Sequence, residues 1–182
     1  MRSLYLGPWR IDVEWRDDVP RLLPATVLAR AAAAVLDVAG APRPASLGLV
    51  LSGDAELAEL NAAHMGKSGP TDVLSFPLLP PGAYSPHPGK AAAHGGDGDA
   101  ASMAFALPPG ARPHLGDIIV SVERAIDQAE AGRGGQTGDV RWDACEEMRL
   151  LVTHGTLHVC GWDHAERVEE AAMRELEHRL LS

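Results

Sequence analysis

Cysteine is scarce in this chain: only Cys145 and Cys160 occur among 182 residues. Two thiols at that separation make neither a Cys-x-x-Cys pair nor a disulfide framework. On one helix, their fifteen-residue spacing would be about 22 Å of rise, far beyond disulfide reach. The expectation is two buried thiols in a reducing cytoplasm. Long apolar runs are also missing, since none approaches the roughly 20 residues needed to cross a bilayer. The start, Met1-Arg2-Ser3-Leu4-Tyr5, lacks the apolar stretch and cleavage site of a secretory signal. The expected location is therefore cytoplasmic, with no membrane association. Positive charge is in short supply as well, with 16 Lys and Arg against 25 Asp and Glu and a formal net charge of −9. That balance argues against a general nucleic-acid binder. It leaves room for a small basic patch, because Glu166, Glu169, Glu170, Glu175 and Glu177 gather in one late segment.

What the chain does have is histidine in a telling arrangement: His154-Gly-Thr-Leu-His158-Val-Cys-Gly-Trp-Asp-His164. If the run to Cys160 is helical, His154 and His158 share one face. Gly161 can adopt the left-handed backbone that ends the helix and returns the chain, carrying His164 to the same point. Three imidazoles converging in this way form a tripod for one divalent ion, most simply zinc, with a fourth position open, as in catalytic sites. Metzincin proteases use the same histidine spacing, but a Glu after the first histidine is their general base. Gly155 stands at that position here, so a peptidase would lack its proton acceptor. The glycine instead makes room for a bulky substrate or for another element to approach.

The rest of the chain reads as one domain over residues 1–182, at 46% apolar and 23% charged residues, a globular composition. Alternation predicts a strand over 4–15, then a helix over 22–38 closed by Gly40. A strand over 47–51 follows, and a short helix capped by Ser52 or Asp54. A third strand over 71–78 contains Pro77, which marks a sheet edge or strand end. Residues 79–113 are rich in Pro, Gly and Ala and read as a long mobile loop, with His87 and His94 solvated within it. A strand over 115–122 and a helix to about residue 131 precede another loop over 132–138. A long helix over 140–160 carries the first two histidines, with Leu150, Leu151 and Leu157 buried. The last helix, 166–181, has an apolar stripe at Val168, Ala172, Leu176 and Leu180, joined by Met173. The expected fold is α+β: a small mixed four-stranded sheet packed with about five helices, the metal site lying on a helix and its exit turn.

The histidine segment resembles the H-G-x-L-H-L-x-G-[YW]-D-H signature of the YbeY family of bacterial single-strand endoribonucleases. Two further stretches agree in order and approximate separation. Pro70-Thr-Asp-Val-Leu-Ser-Phe-Pro77 is similar to the family's P-T-D-V-L-S-F-P strand, and Leu115-Gly-Asp-Ile-Ile-Val-Ser121 to its L-G-D-I-x-I-S strand. The resemblance covers roughly residues 45–182. It implies one zinc ion per chain on His154, His158 and His164. It also implies single-stranded ribosomal RNA as substrate, with action at the 3′ end of the small-subunit RNA, in ribosome quality control, and beside the small subunit and its assembly factors. A departure lies in Asn61-Ala-Ala-His-Met65-Gly-Lys67. Members usually carry an arginine where Met65 stands; arginine grips a phosphate with two prongs, leaving Lys67 here as a point charge.

Around the tripod, Asp163 and Asp117 are candidate catalytic or histidine-orienting carboxylates, and Lys67 and Ser75 are candidate phosphate-binding groups. For Asp163, capping of the turn is the competing role. For Asp72, a hydrogen bond to nearby backbone is preferred over a place in the cleft, and a strand serine such as Ser75 is usually structural. No residue stands out as the general base. Two other functional classes remain: a non-catalytic ribosome-assembly factor with structural zinc, and a peptidase-like metal-dependent hydrolase.

Overall fold

The computed structural model describes residues 1–87, 111–131, 143–164 and 166–182. Its centre is a five-stranded mixed sheet of β1 (Arg2–Leu6), β2 (Trp9–Trp15), β3 (Ala45–Ser52), β4 (Val73–Pro77) and β5 (His114–Ser121), in the order β1-β2-β3-β5-β4. The strands β2, β3 and β5 run parallel, while β1 and β4 are antiparallel edges. The α+β class therefore holds, with one strand more than the sequence pattern predicts. The extra strand arises because 4–15 is a hairpin rather than one strand. Gly7 takes φ 59°, a conformation that L-residues disfavour, and with Pro8 turns the chain so that Leu6 pairs with Trp9. Pro77 marks an edge as expected, since β4 is the last strand of the sheet.

Five α-helices accompany the sheet: α1 (Ala25–Val38), α2 (Asp54–Leu60), α3 (Val122–Glu130), α4 (Ala144–Val159) and α5 (Arg167–Leu181). The first begins three residues later than predicted, because Pro24 is its N-cap and disfavours helical backbone at Leu23. Neither Ser52 nor Asp54 caps α2: Gly53 is the N-cap, and the Ser52 hydroxyl bonds Glu56. A π-type turn over Asn61–Met65 follows directly and ends at Gly66, φ 63°. In α4, Asp143 accepts from the Cys145 and Glu146 amides while Glu146 returns a bond to the Asp143 amide. This capping box sets the start at Ala144; residues 140–142, where the sequence places the helix start, lie outside the described residues, as does the 132–138 loop.

The helices α1 and α4 lie side by side on one sheet face, α1 over β1 and β2 and α4 over β4 and β5. Leu47, Leu49 and Leu51 of β3 and Ile118 and Val120 of β5 are fully buried. Burying each such side chain is worth roughly 1.5–3 kcal/mol. Leu150, Leu151 and Leu157 join the core as predicted, and α5 packs on α4. Of the predicted α5 stripe, Met173 and Leu176 are buried and Ala172 and Leu180 pack against the core, but Val168 is exposed, and Glu169 and Glu177 are buried beside the stripe. Among the described residues both thiols are free, with Cys160 buried and Cys145 only half-buried; burial pushes the Cys160 thiol up to about 12. Of the 79–113 stretch, 88–110 lies outside the described residues. Its beginning is anchored: a 3-10 turn over Pro81–Ala83 precedes a buried Tyr84, and the Ser85 amide donates to the Ala39 carbonyl. No helix among the described residues is long and apolar enough to cross a membrane.

Candidate metal centre

The exit from α4 is a Schellman closure. The Trp162 amide bonds the Leu157 carbonyl and the Gly161 amide bonds the His158 carbonyl, each at 3.0 Å. Gly161 sits at φ 80°, where a side chain would be strained and its Cβ would lie 3.0 Å from Pro81. This turn brings His164 over the helix face that carries His154 and His158. One nitrogen from each of the three rings then lies within 4.8 Å of the others, with ring centroids 4.5 to 5.7 Å apart. The imidazoles predicted from spacing alone do converge.

The outward nitrogens show which atoms remain for an ion. His154 Nδ1 lies 2.7 Å from Glu177 Oε1, and His158 Nδ1 lies 2.9 Å from the Trp162 carbonyl. A neutral imidazole that donates from Nδ1 keeps its Nε2 lone pair, and the Nε2 atoms of His154 and His158 face each other at 3.0 Å. Burial, together with the neighbouring His154 and His164, pushes the His158 imidazole down to about 4, so it is neutral, the form that binds metal. The donor set fits a divalent ion. Two tautomers are fixed from outside, and the third ligand, His164, is exposed on the solvent side.

Glu177 is the residue that sequence reading missed. It is 1% exposed, and its Oε2 is buried without a hydrogen-bond partner among the described residues. One signal was available: Glu177 falls four residues after Met173 and three before Leu180, on the packed side of the helix rather than among its solvated acids. Replacing it with Gln preserves shape but removes the charge that makes His154 a stronger ligand. Glu177→Gln is expected to weaken zinc binding about 10- to 100-fold in a chelator competition. An unchanged affinity would remove Glu177 from the centre.

The tripod opens into a cleft of about 930 Å³, lined by the edge strand β4, the π-type turn and the α4 exit, with Met65, Lys67, Thr71, Ser75 and Asp163 in its walls. Lys67 is exposed there, where a phosphate can reach it, and Met65 is 47% exposed. Asp163 uses one oxygen to accept the His164 amide at 2.7 Å, the turn-capping role. The Ser75 hydroxyl donates to the Gly155 carbonyl at 3.0 Å, tying β4 to α4. Asp72 accepts from the Val73 amide, as the backbone reading has it, and from Gln128, but it also lines the cleft, a place that reading set aside. Asp117 is not brought to the centre. Its neighbour Ile118 meets α4 at Gly155, so Asp117 projects from the opposite sheet face, where it pairs with His114 at 3.1 Å. His87 is not a solvated loop residue: its ring stacks on Trp162, 3.7 Å between centroids and 1° from parallel. His94 lies outside the described residues.

Fold and site together define an α+β protein with a three-histidine centre, able to hold a metal ion, at the mouth of a cleft. The chain belongs to the YbeY family: the family model described as Endoribonuclease YbeY matches residues 14–182. Relatives named Endoribonuclease YbeY include one from Salinispora tropica, 40% identical over 81% of this chain and 79% of the relative. Another, from Thermobifida fusca, is 36% identical over 85% and 82%, and one from Roseiflexus castenholzii is 33% identical over 94% and 90%. Among solved structures, the solution structure of a Thermotoga maritima protein shares the fold, with a TM-score of 0.52 and 20% identity over 94% of this chain and 86% of that one.

Proposed function

We propose that this chain is a zinc-dependent endoribonuclease that cuts single-stranded RNA. Its place is in the cytoplasm, in the maturation of ribosomal RNA at the small-subunit 3′ end and in ribosome quality control, beside the small subunit and its assembly factors. Residues 1–182 act as one domain. The observation that carries this reading is the tripod of His154, His158 and His164 opening onto the cleft, in a chain whose family model is an endoribonuclease.

The three imidazoles would hold one zinc ion through their inward nitrogens. The chemistry it supplies is Lewis-acid: it acidifies water and draws charge from phosphoryl oxygens. The chain's own residues do the rest. Glu177 and the Trp162 carbonyl keep His154 and His158 in the ligating tautomer and orientation. Lys67 meets phosphate charge in the cleft, while Ser75, whose proton goes to the Gly155 carbonyl, has only an acceptor oxygen left, which suits a ribose hydroxyl and not a phosphate. Asp163 lines the cleft beside the tripod, and its oxygen that does not hold the His164 amide would hydrogen-bond an attacking water and take up its proton.

The test compares single-stranded RNA, duplex RNA and casein as substrates of the zinc-loaded chain. Cleavage of single-stranded RNA, lost on chelation and regained with zinc, is the expected result. Zinc-loaded protein that leaves RNA intact under conditions where it remains folded overturns the proposal.

A further inference from the structure

The histidine centre has a second side. Beside the tripod, on its α5 side, lies a cavity of about 130 Å³ lined by His154, His164, Glu170, Met173, Arg174 and Glu177. Two of the three candidate ligands therefore border both spaces. Among the described residues, Arg174 is the only Arg or Lys in this lining, carried there by α5.

Its bonding is incomplete. Among the described residues, Arg174 makes one contact, from Nη2 to Glu170 Oε1 at 2.6 Å. An i, i+4 pair with both side chains nearly half exposed is held weakly. A guanidinium has five N–H donors in a rigid fork, so Nε and Nη1 remain for an incoming oxyanion. A phosphate group is the partner that such a fork suits. The large cleft itself is poor in such groups: Lys67 is its only described Arg or Lys, and the apolar Met65 stands near it in the wall.

We propose that Arg174 grips a phosphate of the RNA strand from the α5 side of the histidine centre, with Glu170 holding the guanidinium in place until that phosphate arrives. The strand would then be held on two sides, by Lys67 in the cleft and by Arg174 on the α5 side of the tripod, with the phosphodiester between them at the three imidazoles. The inference rests on the endoribonuclease reading. It goes further by naming a positioning residue on α5, which carries none of the three tripod histidines. Arg174 acts on binding and register, so its removal is felt first in RNA affinity and KM.

The experiment titrates the zinc-loaded chain into a fluorescein-labelled single-stranded oligoribonucleotide in the cold, following anisotropy at several salt concentrations. Arg174→Met is expected to weaken binding about tenfold and to flatten the dependence of log affinity on log salt by about 0.7, the loss of one phosphate contact. Arg174→Lys keeps a point charge and should fall between, with the salt slope of the wild type. Glu170→Gln, which removes the competing carboxylate, should bind more tightly. Zinc content and melting temperature should match the wild type in all three. Wild-type affinity and slope in Arg174→Met would overturn the inference, as would a loss of affinity that appears only with a lower melting temperature. Those results would leave the endoribonuclease reading intact. A wild-type chain that holds zinc yet neither binds nor cuts RNA would sink both.

Discussion

His158→Ala will lose the metal and RNA cleavage together while remaining folded. His158 is the middle leg of the tripod, and its Nε2 faces His154 Nε2 at 3.0 Å. Removing a ligand should cost more than removing a partner of a ligand, so zinc affinity falls by more than about a hundredfold. The fold tolerates the change. The substitution orphans the Trp162 carbonyl, which His158 Nδ1 meets at 2.9 Å, at roughly 1–3 kcal/mol against the 5–15 kcal/mol typical of a domain. It also removes an imidazole that burial has already made costly to charge, as its displacement to about 4 records. Zinc stoichiometry after dialysis, cleavage of single-stranded RNA and denaturant unfolding of the metal-free protein read the three consequences separately. A variant that binds one ion and cuts RNA like the wild type would show that the chemistry lies elsewhere. One that simply unfolds would point to a structural metal.

Gly155→Glu will unfold the protein rather than turn it into a peptidase. The substitution recreates the metzincin pattern on paper, but Gly155 does not face the cleft. A Cβ there would stand 2.7 Å from Ile118 Cγ2, 2.9 Å from Val73 Cγ2 and 3.3 Å from Ser75 Oγ. Both methyl groups belong to β-branched side chains on strands, which cannot swing aside. A carboxylate would be driven between helix and sheet with no cation to meet it. The expected loss is at least about 4 kcal/mol, in the range of unpaired buried charges and overpacked cores. Gly155→Ala should also destabilise, by about 1–2 kcal/mol, because overpacking outweighs the gain in helix propensity. Chemical denaturation measures both. A Gly155→Glu protein as stable as the wild type that digests casein would revive the peptidase reading.

Glycine after His154 thus has its explanation in packing. The sequence offered two options, space for substrate or approach of another element, and the second is what the structure shows. The strands β4 and β5 come up against α4 at this residue, and the Ser75 hydroxyl bonds the Gly155 carbonyl. Those two strands carry the other two family-like stretches, so all three segments meet at one glycine.

Signals that operate over one turn were legible in the residues. The spacing of His154, His158 and His164 and the glycine at 161 are local properties of a helix and its closure, so the tripod could be read before any fold was known. Pro77 announced an edge for the same reason: a missing N–H cannot serve a central strand. The hairpin was lost because alternation continues on either side of Gly7-Pro8, and a pattern of period two does not reveal where the chain reverses.

What lay beyond reach depended on which elements meet. Alternation tells that Asp117 and Ile118 face opposite ways; only the seat of α4 decides that Ile118 has the helix and Asp117 has His114. Glu177 follows His164 by thirteen residues and reaches His154 only because α5 folds back along α4. The residues alone determined which three imidazoles converge, since backbone geometry within sixteen helical residues and one turn is enough to aim them. Tertiary structure chose the carboxylate beside them, the wall of the cleft and the arginine on the α5 side of the tripod. Those choices come from helix–helix and helix–sheet packing, which brings together side chains far apart in the chain.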